Sequence, residues 1–117
     1  RRIEPMTILL LNCEDRYAIR KRPSEGLLAG LYEFPWLEGY KDREWMEEWL
    51  KKQGIPGEIE PLREASHIFS HIEWHMQGWR IRTAKPLEGD WTYYTVEEIH
   101  RDFPIPTAMK KYDIYLV

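Results

Sequence analysis

Residues Gly26–Pro35 read Gly-Leu-Leu-Ala-Gly-Leu-Tyr-Glu-Phe-Pro. The two glycines mark Pro23–Gly30 as a loop. Leu31–Trp36 then predicts a short strand that Pro35 ends or bulges, because proline cannot donate to a sheet ladder. Leu37–Lys41 is a turn around Gly39, and Asp42–Gln53 is the strongest helix in the chain. Asp42 is a suitable N-cap and Gly54 a suitable residue just past the C-terminus. Trp45, Trp49 and Leu50 fall on one stripe with Met46 beside it. Glu47–Lys51 and Glu48–Lys52 are i,i+4 pairs in the favourable orientation, each adding ~0.3 kcal/mol.

Before this segment, Pro5 closes an opening linker. Met6–Leu11 is an apolar run that predicts a strand buried on both faces. Asn12–Asp15 carries turn chemistry, and Arg16–Arg22 alternates as a second strand. Arg16, Ala18, Arg20 and Arg22 share one of its sides. Such a row is either a solvated edge or a set of phosphate contacts. After the helix, Glu58–Ala65 predicts a strand and His71–Thr83 a long strand-like run, with a turn or bulge at Gln77-Gly78. In extended geometry Ile68, Ser70, Ile72, Trp74 and Met76 share one face, and His67, Phe69, His71, Glu73 and His75 the other. Trp91–Thr95 is a further strand. Thr95-Val96-Glu97-Glu98 is a capping box for a short helix to about His100. Phe103-Pro104-Ile105-Pro106 is a rigid connector. Thr107 then caps a final helix through about Leu116, packed by Ala108, Met109, Tyr112 and Tyr115. The sum is an α+β fold with a mixed or antiparallel sheet flanked by helices.

At 117 residues the chain is one domain, residues 1–117, and 43% apolar content supplies a core. A net charge of −3 argues against a free-standing nucleic-acid binder but not against a module using one face. The lone Cys13 permits no internal disulfide and gives no zinc spacing, which fits a reducing cytosol. No apolar run approaches the roughly 18 residues of a membrane span. The opening Arg-Arg-Ile-Glu-Pro suggests a fragment of a longer protein.

Two chemistries look possible around His67–Trp74. His71, Glu73 and His75 alternate, about 7 Å apart on one strand face, and could meet a metal, although a half-exposed strand has the same pattern. Ser70 beside His71 suggests a nucleophile and base, but neighbours on a strand face opposite ways.

Gly26–Pro35 followed by a helix ending in Gly54-Ile55 resembles a Nudix domain. That family's helix carries an Arg-Glu-x-x-Glu-Glu pattern that binds magnesium for diphosphate hydrolysis. Aligned on Gly54-Ile55, Glu48 matches, but Glu47 stands for the arginine and Lys51-Lys52 for the acidic pair. Two ammonium groups cannot serve as oxygen ligands for a hard cation. The resemblance therefore implies a Nudix-like scaffold without the hydrolase site.

One branch is matched more fully. Arg20-Lys21-Arg22-Pro23, Gly26–Pro35, His67-Ile68-Phe69-Ser70-His71 and Phe103–Tyr112 are similar, in order, to the C-terminal MutT-like domain of MutY-type adenine DNA glycosylases. The resemblance implies a base-excision repair role: recognition of 8-oxoguanine opposite adenine in double-stranded DNA, with an N-terminal domain of the same chain removing the adenine. That parent carries a 4Fe–4S cluster, whereas no cofactor, metal or catalytic residue is assigned within these residues. It further implies cytoplasmic action at a bacterial nucleoid, without a membrane. The family's lesion reading falls on Phe69, Ser70 and His71. Oxidation turns the guanine N7 from acceptor to donor, and a hydroxyl such as Ser70 can answer either state. Phe69 offers an apolar surface, and His71 braces the loop or reaches a phosphate. Arg20, Lys21 and Arg22 are candidate DNA-backbone contacts, while Tyr32, Glu33 and Phe34 build the sheet. The competing expectations are an active Nudix hydrolase of oxidised nucleotides and a protein-interaction module using the six tryptophans.

Overall fold

The long first strand, β1 (Arg2–Cys13), and the long strand β6 (Ile72–Thr83) run side by side in parallel from Arg2↔Ile72 to Asn12↔Arg82. A computed structural model describes residues 1–116. β5 (Gly57–Ile68) pairs antiparallel with the far side of β6. On the other side, β1 meets β2 (Arg16–Lys21) and β4 (Trp36–Glu38), while β2 carries β3 (Tyr32–Glu33) and β7 (Thr92–Thr95). The seven-stranded mixed sheet has helices α1 (Arg43–Lys52) and α2 (Val96–Asp102), so the fold is the α+β class expected.

The sheet separates two apolar layers. Ile8 and Leu10 face Tyr17, Trp74, Met76, Ile99, Met109 and Tyr112. Leu9 and Leu11 face Met46, Leu50, Trp79 and Ile81. An apolar run without alternation is what a strand needs when both faces are covered, and Ile8–Leu11 are at most 1% exposed.

Several local expectations are corrected. β1 starts at Arg2, so Pro5 lies inside the strand rather than in a linker. Pro5 is tolerated there because β4 ends at Glu38, opposite Met6, so no β4 residue pairs with Pro5, whose carbonyl accepts from the Gly39 N–H (2.9 Å). The region around Pro35 splits into two strands with different partners, β3 on β2 and β4 on β1. Trp36–Glu38 is therefore strand where a turn is expected from Leu37. In α1, Asp42 caps as expected, accepting from the Trp45 N–H at 2.8 Å. The buried stripe, however, is Met46 and Leu50, with Trp49 beside it, while Trp45 is 40% exposed under the Lys41 ammonium. β6 is continuous through Gln77-Gly78, and the register shift lies opposite, between Leu62 and Ala65 of β5. Gly78 instead makes room: a Cβ there would sit 2.9 Å from the Tyr112 ring. The closing segment is a 3-10 helix, Lys110–Tyr115, without a side-chain cap. Met109, Tyr112 and Tyr115 recur every three residues, a period that a 3-10 helix places on one face.

Candidate nucleic-acid interface

β5 and β6 are joined by Phe69-Ser70-His71 in a tight turn. The Phe69 N–H donates to the Ile72 carbonyl at 2.7 Å, leaving Ser70 and His71 exposed at the tip. His67–Trp74 is therefore a hairpin and not one extended strand, which corrects the expected faces. His67 lies opposite Trp74, and Ile68 opposite Glu73. Phe69 sits on the Trp74 side, edge-on to both Trp74 (5.0 Å) and His67 (4.8 Å). Edge-to-face packing of this kind fixes ring orientation as well as burying area. The turn is also tied to β1, whose Arg2 N–H donates to the His71 carbonyl at 3.0 Å.

Trp74 is the base of this stack. It is buried, its indole N–H donates to Glu4 Oε1 at 3.3 Å, and the Arg22 guanidinium lies over its ring at 5.5 Å. Arg22 is fixed in turn. Its Nη1 donates to Glu33 Oε1 at 2.6 Å and its Nε to the Leu27 carbonyl at 3.1 Å. The Trp36 indole N–H donates to the same Glu33 oxygen at 2.9 Å, and Arg20 Nε donates to the other at 2.9 Å. Glu33 is thus a buried acceptor for three donors, the arrangement that a desolvated carboxylate requires.

The arginine row of β2 is not a solvated edge at Arg20 and Arg22. Tyr17, Ala18 and Ile19 are all buried, because apolar layers cover both faces of β2: Tyr17 and Ile19 pack in one and Ala18 in the other. The side chains of Arg20 and Arg22 are only 21% and 12% exposed, and both are occupied by Glu33. Lys21 is exposed. Of the sequence candidates, Phe69, Ser70 and His71 come together in the turn. Arg22 joins them through Trp74, whereas Arg20 reaches away to Glu33 and Asp90. Glu33 and Trp74 are the residues that sequence reasoning passed over. The Glu-Phe-Pro-Trp order beside an Arg-Lys-Arg strand was the available signal for Glu33.

An open cleft of about 740 Å³ lies next to the turn, with Arg2, Glu4, Arg22, Trp36, Glu38 and Trp74 among its walls. The paired Glu73 and His75 (3.3 Å) belong to β6 beyond the turn that holds His71. Among the described residues no group of three His, Cys, Asp or Glu could hold a metal ion. A magnesium ion bound as in active Nudix helices does not fit α1, since Lys51 and Lys52 are exposed in its last turn where acidic ligands would stand. No helix among the described residues is long and apolar enough to cross a membrane.

With a mixed sheet, flanking helices and the Gly26–Pro35 loop ahead of α1, the family model for the NUDIX domain matches residues 6–112, and the chain belongs to that family. Solved structures share the fold. The Escherichia coli ORF135 protein is 17% identical, with 98% of this chain and 91% of that one covered, at a TM-score of 0.65. The C-terminal domain of mouse MUTYH, solved in complex with human PCNA, is 22% identical, with 97% and 86% covered, at 0.67. The MutT NUDIX hydrolase of Burkholderia pseudomallei is 13% identical, with both chains fully covered, at 0.61.

Proposed function

We propose that this domain reads 8-oxoguanine opposite adenine in duplex DNA, as the lesion-recognition part of a MutY-type adenine DNA glycosylase. The observation that carries the reading is the Phe69-Ser70-His71 turn: a free hydroxyl at the tip of a hairpin whose flank is fixed by Trp74 and His67. A rotatable hydroxyl can accept from the N7–H of the oxidised base or donate to its C8 oxygen. Likeness to the MUTYH domain supports this reading at the level of fold. Adenine removal is then the task of a glycosylase domain of the same polypeptide, with its iron–sulfur cluster. DNA-backbone contacts fall to Lys21 and His71 rather than to Arg20 and Arg22, whose charges are already engaged.

The second reading is a Nudix hydrolase of oxidised nucleotides. The cleft between Trp36 and Trp74 favours it, and the lysines of α1 oppose it. Magnesium-dependent release of phosphate from oxidised dGTP separates the two. No turnover above blank is expected, and sustained turnover would overturn the recognition reading.

A further inference from the structure

Glu33 stands at the far end of a continuous chain of contacts that ends at Ser70. Its Oε1 accepts from Arg22 (2.6 Å) and Trp36 (2.9 Å). The Arg22 guanidinium covers Trp74, and Trp74 meets Phe69 edge-on. Its Oε2 accepts from Arg20, which continues to Asp90 and has no place in the stack. The carboxylate is almost wholly buried, with its side chain 5% exposed. We infer that Glu33 is a positioning residue for base recognition: by holding Arg22 against Trp74 it sets the orientation of Phe69, and so the direction in which Ser70 is presented. This rests on the lesion-reading proposal.

The two oxygens of Glu33 divide the labour. The Oε1 side governs the stack and one wall of the cleft. The Oε2 side holds only Arg20, which leads out of the core to the exposed Asp90. A merely structural Glu33 would make the two arginines equivalent. A positioning Glu33 makes Arg22 matter to the turn and Arg20 not. A guanidinium over an indole has a preferred geometry that an unrestrained side chain samples only part of the time.

The test uses the whole 117-residue chain and three substitutions: Arg22→Met, Arg20→Met and Glu33→Gln. Glutamine keeps an acceptor for one donor and lowers the chance that the variant fails to fold. Two readouts are taken. The first is the Phe69 ring resonances by NMR, which report the neighbouring Trp74 and His67 rings without any DNA. The second is the ratio of affinities for duplexes carrying 8-oxoguanine or guanine opposite adenine. Arg22→Met is expected to move the Phe69 resonances and to lower the ratio by about fivefold, and Glu33→Gln to do both to a smaller extent, since its carbonyl can still accept from Arg22. Arg20→Met is expected to leave both unchanged. In a Glu33→Gln background, Ser70→Ala should lower the ratio by less than it does alone, as coupled residues do. Unmoved Phe69 resonances in Arg22→Met, or equal effects of the two arginine substitutions, would overturn the inference. A wild-type ratio of one together with the expected Phe69 shifts would instead sink the recognition reading and leave the positioning link standing.

Discussion

Ser70 and Glu33 are opposite cases of what a single residue reveals. Ser70 is exposed, so its removal leaves the fold intact. Ser70→Ala is expected to keep the wild-type melting temperature and to lower the preference for the oxidised base by about 1 kcal/mol, the low end for a base contact. Competition binding with the two duplexes checks it. Its position in the chain was legible because the Phe-Ser-His segment falls between two extended stretches. Its geometry was not, since one extended strand and a hairpin have the same local alternation, and only the pairing of His67 with Trp74 distinguishes them. Arg20 and Arg22 were placed on one side of a strand by the same period of two. Their partner, Glu33, lies 13 and 11 residues away in sequence, and periodicity says nothing about such a partner.

Element boundaries followed the capping chemistry closely. Asp42 and Thr95 both cap as their side chains allow, and Thr95 and Glu98 complete a reciprocal box at 2.9 and 3.1 Å. Thr95→Ala is expected to destabilise the domain by about 1 kcal/mol, read as a lowered urea midpoint. The face of α1 was less legible. Helical spacing puts Trp45 on one stripe with Trp49 and Leu50, yet Met46 and Leu50 fill the layer against Leu9 and Ile81. Met46→Ala should therefore cost about 2–5 kcal/mol, and Trp45→Ala within about 0.5 kcal/mol. The reverse order in chemical denaturation would contradict the packing. The closing 3-10 helix escaped sequence reading because Thr107 has the chemistry of an α-helix cap, while the three-residue spacing of Met109, Tyr112 and Tyr115 is set by packing on the sheet.

At the scale of the molecule, the pairing that organises the domain joins β1 to β6 in parallel across about seventy residues, a contact that local pattern cannot specify. The fold class was nonetheless readable, because continuous apolar strands and one amphipathic helix demand a sheet covered on both faces. Arg80 of β6 fastens the outer strand, donating to Glu60 of β5 at 2.9 Å. That hydrogen bond from Arg80 holds the Glu60 carboxyl below its usual range. A lowered folded value means the stabilisation is complete above the ordinary glutamate range and fades as pH falls through the lowered value. The urea-midpoint difference between wild type and Glu60→Gln should accordingly shrink on going from neutral pH to about pH 3. Under the recognition proposal, the scaffold serves to present one hairpin tip to an oxidised base, and Lys51 and Lys52 of α1 set it apart from a magnesium-binding helix. The most direct measurement is equilibrium binding of the chain, at low salt, to two duplexes that differ only in 8-oxoguanine or guanine opposite adenine, repeated with Ser70→Ala. The account predicts tighter binding of the oxidised duplex by wild type and loss of most of that difference in the variant. Equal binding of the two duplexes by wild type, or a preference untouched by Ser70→Ala, would contradict it.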